Sequence, residues 1–479
     1  MTALQTFYIA ILNIIGKPFI NFPRKKKNAL ITVCFLALVG YFMIYFSPYS
    51  HIRFALTFDH LVCSILILII ILCSINESLT RVSWNPIVFY LFIISGAGII
   101  MISFLHPVGS GYRAFGLMMI VGFPCLYFVW NNRGDYNEFF KRLSVATEII
   151  GLVNYAFFII LSLNGSFKMI QGRACGTCAD ANMFSMVGMI MVCAATYMLL
   201  INRGSIMWFV FTCISFAVGV NTVFLGASRL SILVIAGSIL SFFIFYIKSQ
   251  SVLPPPAGIG NKLLRLALLI SVTLLMLKCS NLILTVNDTV YGQKVAQLYM
   301  TYQEENPGEL DAKDSVSADE TGDIQQAESE SVGVDVIGRF STDEMTLNSY
   351  TANRYTLWKN YAKHLSLLGN DFSKTNWKDL TNNTVKHAHN NFLEIAYRFG
   401  VPVACLHTAL ELVSGIICLI WLFGKKYKKP EYFFSISFMI SYAVQSLFDI
   451  ATLPFERPAP FYFYMALIPV FTFSRKEEA

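Results

Sequence analysis

Charge is scarce in this chain. Lys, Arg, Asp and Glu make up 14% of its 479 residues, against the roughly 25% of a soluble globular domain. A soluble multidomain enzyme is excluded on that ground. A disordered scaffold and a collagen-like fibre are excluded by a hydrophobic share of 55% and a mean hydropathy of +0.57. Cysteine shows no framework. Most of the eleven, such as Cys34, Cys63, Cys193 and Cys418, lie inside apolar runs, where a thiol packs as a small hydrophobe. Cys175 and Cys178 form the one close C-x-x-C pair, and no second pair follows at finger spacing, which argues against structural zinc. There is no Gly-rich phosphate loop, no Asp-x-Asp pair in the apolar regions and no solenoid repeat. What is present is apolar sequence in long runs, so the expected fold class is an all-α integral membrane protein. The net charge of +7 is not a nucleic-acid signal, because basic residues of membrane proteins gather in cytoplasmic loops.

A helix needs about 20 apolar residues to cross the hydrocarbon. Runs of that kind are Ala29–Phe46, Phe54–Ser74, Pro86–Leu105, Ala114–Trp130, Leu143–Leu163, Asn182–Ile201, Ser205–Leu225, Leu230–Ile247 and Leu263–Thr285. Val401–Phe423, Tyr432–Ile450 and Ala459–Phe473 follow, giving about twelve transmembrane helices. The apolar run before Lys17 is too short to span and is followed, not preceded, by Arg24-Lys25-Lys26-Lys27, the reverse of a signal peptide. It reads as an interfacial helix in a segment, 1–28, placed in the cytoplasm. On that placement seventeen basic residues fall in cytoplasmic loops, and six (Arg53, Arg113, Lys168, Arg173, Arg229, Arg457) in the short outer ones. The expectation is a multi-pass protein with both termini cytoplasmic, including the tail 475–479.

The chain thus divides into transmembrane helices 1–9 (29–285), a large extracytoplasmic loop (286–390) and transmembrane helices 10–12 (391–474). Loops of that length are functional or disordered. Glu304–Asp335 is acidic, with a single Lys313, and cannot bury a core. Beyond it, Tyr350–Leu368 and Asn391–Phe399 have helical apolar spacing.

That loop ends in His387-Ala388-His389-Asn390-Asn391, two of the seven histidines within three residues. Asn390 or Asn391 supplies a helix N-cap beside an imidazole suited to take a proton near neutral pH. The i, i+2 histidine pair also fits a metal, but neither a Glu between them nor a third nearby His supports one, and a polar loop holds histidines without any chemistry. Isolated arginines are the second feature: Arg173 in Gly172-Arg173-Ala174-Cys175-Gly176, Arg229 in Gly226-Ala227-Ser228-Arg229, and Arg354 ahead of Trp358. A guanidinium binds phosphate oxygens in pairs and keeps its charge, which suits a diphosphate leaving group. Any single one of them also fits a snorkelling residue at a membrane edge.

Together these residues resemble the O-antigen ligase family. His389-Asn390 followed by Gly400 resembles its His-Asn…Gly signature, departing at Val403, where the family has a small or hydroxyl residue. Ser228-Arg229, Arg354-x-x-x-Trp358…Leu368-Gly369 and Arg173-x-x-Gly176…Asp180-x-Asn182 resemble its other elements, in the family's order. The likeness covers about Gly172–Gly424; the first five spans match in hydropathy alone. It implies transfer of a glycan from an undecaprenyl-diphosphate-linked oligosaccharide donor to a glycan or lipid A-core hydroxyl, on the outer side of the bacterial inner membrane, without cofactor or metal. Membrane lipids, and a chain-length regulator but no nucleic acid, are the implied partners. His389 would be the general base, Arg229 and Arg354 would hold the diphosphate, and His387, Asn390 and Arg173 would bind substrate. Val403 and the acidic loop lean toward a repeat-unit polymerase over a ligase acting on lipid A-core.

The rival class is a flippase or transporter for a lipid-linked glycan. It would place ionisable residues near the midplane, for which Glu148, Lys278, Glu411 and Asp449 are available. No matching pair of Gly/Pro-broken helices marks the two halves, and a transporter has little use for a long outer loop bearing His-x-His-Asn.

Overall fold

The computed structural model describes residues 2–46, 59–106, 110–164, 169–170, 173–178, 180–201, 205–248, 259–305, 354–371, 387–424, 429–449 and 457–472. The acidic stretch Glu304–Asp335 beyond Glu305, and the tail 475–479, lie outside them. The described chain is helical: α1 Thr2–Ile20, α2 Arg24–Phe46, α3 Asp59–Ser74, α4 Pro86–Leu105, α5 Ser110–Leu117, α6 Phe123–Arg133, α7 Tyr136–Leu163, α8 Ala181–Ile201, α9 Ile206–Gly226, α10 Arg229–Lys248 and α11 Ile259–Glu305. After the loop come α12 Arg354–Lys363, α13 Asn391–Phe399, α14 Val401–Phe423, α15 Pro430–Phe448 and α16 Pro458–Ala466. Among the described residues one antiparallel ladder is present, pairing Met169-Ile170 with Arg173-Ala174.

Among the described residues, eight helices are long and apolar enough to cross a membrane, and α3, α10 and the α16 region are shorter apolar helices. The protein is therefore a multi-pass membrane protein. Local sequence sets the helix ends. Asn85 Oδ1 accepts from Ile87 N (3.1 Å) and Val88 N (3.3 Å), with Pro86 at the first helical position of α4. Gly134, at φ +66°, closes α6, and Asp135 Oδ1 then accepts from Glu138 N at 3.3 Å to open α7.

Helix α8 is the centre of the bundle and almost wholly buried. A Cβ on Gly188 would lie 2.5 Å from the Gly219 carbonyl of α9, so the two backbones touch there, the small-residue packing that membrane helices favour. Stacked aromatics join α15 to its neighbours: Phe140 on Phe434 (4.1 Å), Tyr462 on Phe438 (4.6 Å) and Phe463 on Tyr442 (3.9 Å). Helix α11 is peripheral, with Leu274, Leu275 and Leu282 exposed on an apolar face. It does not stop at Thr285 but runs unbroken to Glu305.

Helix α1 is longer than the short apolar run before Lys17, at 19 residues long enough to cross by length. Yet Gln5 Nε2 donates to Val82 O (2.9 Å), and Asn13 takes the Leu79 N–H (2.8 Å). The helix therefore lies along the connection between α3 and α4. Tyr8 Oη donates to Ile120 O at 2.5 Å, at the π-helical turn Met118–Gly122 that joins α5 to α6. One end of the bundle gathers Lys27, Arg133 and Arg142; the other carries Arg173, Arg229 and His389.

Candidate functional site

The His387–Asn391 segment is shaped by two side chains of α13. Asn390 is the N-cap: its Oδ1 accepts from Leu393 N at 3.0 Å, while its Nδ2 donates to Leu447 O at 3.0 Å, at the end of α15. Glu394, fully buried, accepts from Ala388 N at 2.9 Å and lies 3.6 Å from His387 Nδ1. Arg398, one turn on, donates to it at 2.6 Å and stacks over Tyr112 at 4.7 Å. Burial by itself would raise the Glu394 carboxyl; Arg398, His387 and the Ala388 N–H outweigh it and bring it down to about 2. With both neighbours pinned, His389 adopts φ +49°, a left-handed conformation that non-glycine residues seldom take.

That conformation sets His389 Nδ1 3.4 Å from Asp449 Oδ1, with the imidazole 42% exposed and the carboxylate 15%. Asp449 ends α15. Its other oxygen is 3.6 Å from Arg457 Nη1, and its charge also offsets the burial that pulls Arg354 below the usual guanidinium range. The Arg354-x-x-x-Trp358 spacing has a plain reason. Both side chains share one face of α12, Trp358 packing on Phe448 at 6.1 Å beside Asp449.

The two motif glycines lock α12 to the start of α14. Gly400 has φ +89°, and a Cβ there would sit 2.0 Å from Leu367 O; Gly369 has φ +74°, and its Cβ would sit 2.2 Å from Arg398 O. In that space Asn370 N donates to Tyr397 O (2.8 Å) and Val401 N to Ser366 O (3.0 Å). Val403, the departure from the family pattern, is buried against Gly98 of α4, whose missing side chain makes room for it.

Arg173 and Arg229 meet at another corner of the same end. Arg173 Nε donates to Gly226 O (2.9 Å) and a terminal nitrogen to Asn182 Oδ1 (2.6 Å). Asn182 N in turn donates to Asp180 Oδ1 at 2.8 Å. The Arg173-x-x-Gly176…Asp180-x-Asn182 segment thus braces the turn that starts α10. There Ala227 has φ +44°, Ser228 caps the helix and Arg229 is its first residue. Among the described residues, Ala227 and His389 are the two non-glycines in the left-handed region, and both lie at this end.

Arg457 joins the two corners: besides Asp449 it reaches Met183 Sδ at 3.4 Å, next to Asn182. The structure therefore brings His389 and Arg457 onto one carboxylate, whose charge also acts on Arg354, and places Arg173 and Arg229 at one turn. His387 faces Glu394 rather than Asp449. The sequence motifs point to neither Asp449 nor Arg457 as part of a glycan-transfer site. The available signal was a carboxylate at the end of one apolar run and an arginine at the start of the next.

Under the site lies a buried polar cluster. Asn391 Nδ2 donates to Glu411 Oε1 (2.9 Å) and Tyr442 Oη (3.0 Å), Tyr442 Oη donates to Glu411 (2.9 Å), and His407 Nε2 is 3.2 Å from Tyr442 Oη. Cys175 and Cys178 are both buried thiols, and burial pushes Cys178 up to about 12. Among the described residues no three His, Cys, Asp or Glu side chains gather as metal ligands would. Compared with protein-family models and with curated proteins, the chain matches none.

Proposed function

We propose that this protein is a membrane glycan transferase of the O-antigen ligase and polymerase type. On this reading it has about twelve crossings in a bacterial inner membrane, both termini in the cytoplasm and the histidine end on the outer side. It moves a glycan from an undecaprenyl-diphosphate carrier to a hydroxyl acceptor in surface polysaccharide synthesis, with a lean to the repeat-unit polymerase. The observation that carries the reading is the His389–Asp449 pair, flanked by Arg354 and Arg457, at the same bundle end as the braced Arg229.

Asp449 at Nδ1 fixes the imidazole so that Nε2 is the basic nitrogen. Nε2 takes the acceptor's hydroxyl proton as that oxygen attacks the anomeric carbon. The bond from that carbon to the diphosphate oxygen breaks, with inversion, and the carrier leaves as undecaprenyl diphosphate. Arg229 and Arg354 offset the growing charge on the diphosphate, and the first amides of α10 point the same way. The prenyl tail stays in lipid while the diphosphate lies at headgroup depth.

Purified protein in detergent, given an undecaprenyl-diphosphate oligosaccharide, is expected to form longer glycan, and Arg229→Ala to form none. A flippase would form no glycosidic bond under these conditions and would need a sealed bilayer. Product formed only when lipid A-core is supplied would identify a ligase.

A further inference from the structure

At the opposite end, the last residue of α6 carries a guanidinium that makes no hydrogen bond among the described residues. Nε and both terminal nitrogens of Arg133 are buried and, among the described residues, donate to no acceptor, although its Cζ lies 4.4 Å over the face of Trp130. Such a group is costly, since a desolvated charge without hydrogen bonds loses its hydration with nothing in exchange. Its surroundings do not balance it. Arg24 and Lys27 from α2 and Arg142 from α7 are the neighbouring cations; Asp135 and Glu138 are the neighbouring carboxylates. Both carboxylates are engaged elsewhere. Glu138 accepts from Arg142, and Asp135 caps α7. Arg142 is itself held by Asn28 O and Thr32 Oγ1, each at 2.8 Å.

Lys27 is no candidate ligand group. Its Nζ donates to Ile75 O (2.7 Å), Asn76 Oδ1 (3.3 Å) and Ile20 O (3.4 Å), which pins the start of α2 to the end of α3. That pin fixes the exposed Arg24 one turn earlier on the same helix, within reach of the Arg133 charge. The buried guanidinium of Arg133 and the exposed one of Arg24 thus act on each other electrostatically at this end of the bundle, which also carries the apolar, exposed Phe22 of the turn after α1.

We propose that Arg133 and Arg24 form a binding site for the phosphate of an anionic phospholipid in the leaflet at this end. Guanidiniums pair with phosphate oxygens two at a time, and basic pockets between helices recognise such headgroups. The acyl chains would lie along α1, which the phosphate would tie to the ends of α2 and α6. The site is independent of the glycan chemistry proposed above and stands or falls separately from it.

The test is native mass spectrometry of the full-length protein in detergent with phosphatidylglycerol, phosphatidylcholine or inorganic phosphate. Wild type is expected to retain phosphatidylglycerol over phosphatidylcholine, with inorganic phosphate competing weakly. Arg133→Gln should weaken retention roughly tenfold, the effect of losing one charge-assisted contact. Should Arg133→Gln fold poorly, Arg24→Gln, at an exposed position, is expected to weaken retention in the same sense. Lys25→Gln removes the same charge from a neighbouring exposed residue and should leave retention near wild type. Equal losses from Lys25→Gln and Arg24→Gln would reduce the effect to general basic attraction and overturn the site. So would equal retention of phosphatidylcholine, or inorganic phosphate binding as well as the lipid.

Discussion

His389 is held in a backbone conformation that costs on the order of 1–3 kcal/mol for a residue of its kind. Asn390 on one side and the buried Glu394–Ala388 contact on the other impose it, and it aims the ring at Asp449. On the base mechanism, Asp449→Asn should lower turnover by about 10²–10⁴-fold with a smaller change in KM, because the wrong tautomer is then favoured. His389→Ala should abolish product while the protein stays membrane-inserted. Normal glycan length profiles in cells carrying His389→Ala would count heavily against the assignment. Gly400 allows a second test at this scale. Gly400→Ala would force a methyl group to within 2.0 Å of Leu367 O at φ +89°, so thermal midpoint and activity should fall together. Gly415→Ala, in α14 where a Cβ meets nothing within 4 Å, should change neither.

Helix α13 is the element that docks the end of the long loop onto the bundle. Its ion pair is legible as a pH dependence. The Glu394 carboxyl ordinarily titrates at 4.5 and is lowered to about 2 in the fold. A lowered carboxylate stabilises fully above its unfolded value, and that stabilisation is lost as pH falls from 4.5 through 2. Thermal midpoints followed from about pH 6 to pH 2 should drop through that window, and the drop should flatten in a Glu394→Met/Arg398→Met double variant. Arg398→Met alone should be worse than the double variant at neutral pH, since it leaves a buried carboxylate uncompensated. The helical character of the apolar runs and α13 itself were legible because each depends on apolar periodicity and a local cap. The role of Asp449 was not: His389 meets it across sixty positions of sequence, and nothing in either segment alone encodes that approach. Arg354 and Trp358 lay between these cases. Their shared face follows from spacing, but Phe448 and Asp449, on which that face docks, are tertiary facts.

At the scale of the whole molecule, distant segments meet because α15 carries Asp449 to the end where α8, α10 and α13 begin. The motif glycines that make the loop dock, Gly369 and Gly400, were visible as motif positions, and only the mutual approach of their backbones explains them. The polypeptide between α11 and α12 is a different matter. Its acidic composition cannot bury a core, and the docked elements on its far side start at Arg354. Removing Glu305–Gly333 leaves Val334–Asn353 as the connection, a stretch able to reach roughly 66 Å when extended at about 3.3 Å per residue. Loop closure changes slowly with length, by only about 0.6 kcal/mol per doubling, so the deletion should cost little stability. Substantial glycan transfer by the deletion variant, measured beside wild type at matched membrane content, is the expected result. Complete loss with intact expression would mean that the acidic stretch binds a substrate or partner, and the transfer site would then have to extend beyond the residues gathered around Asp449.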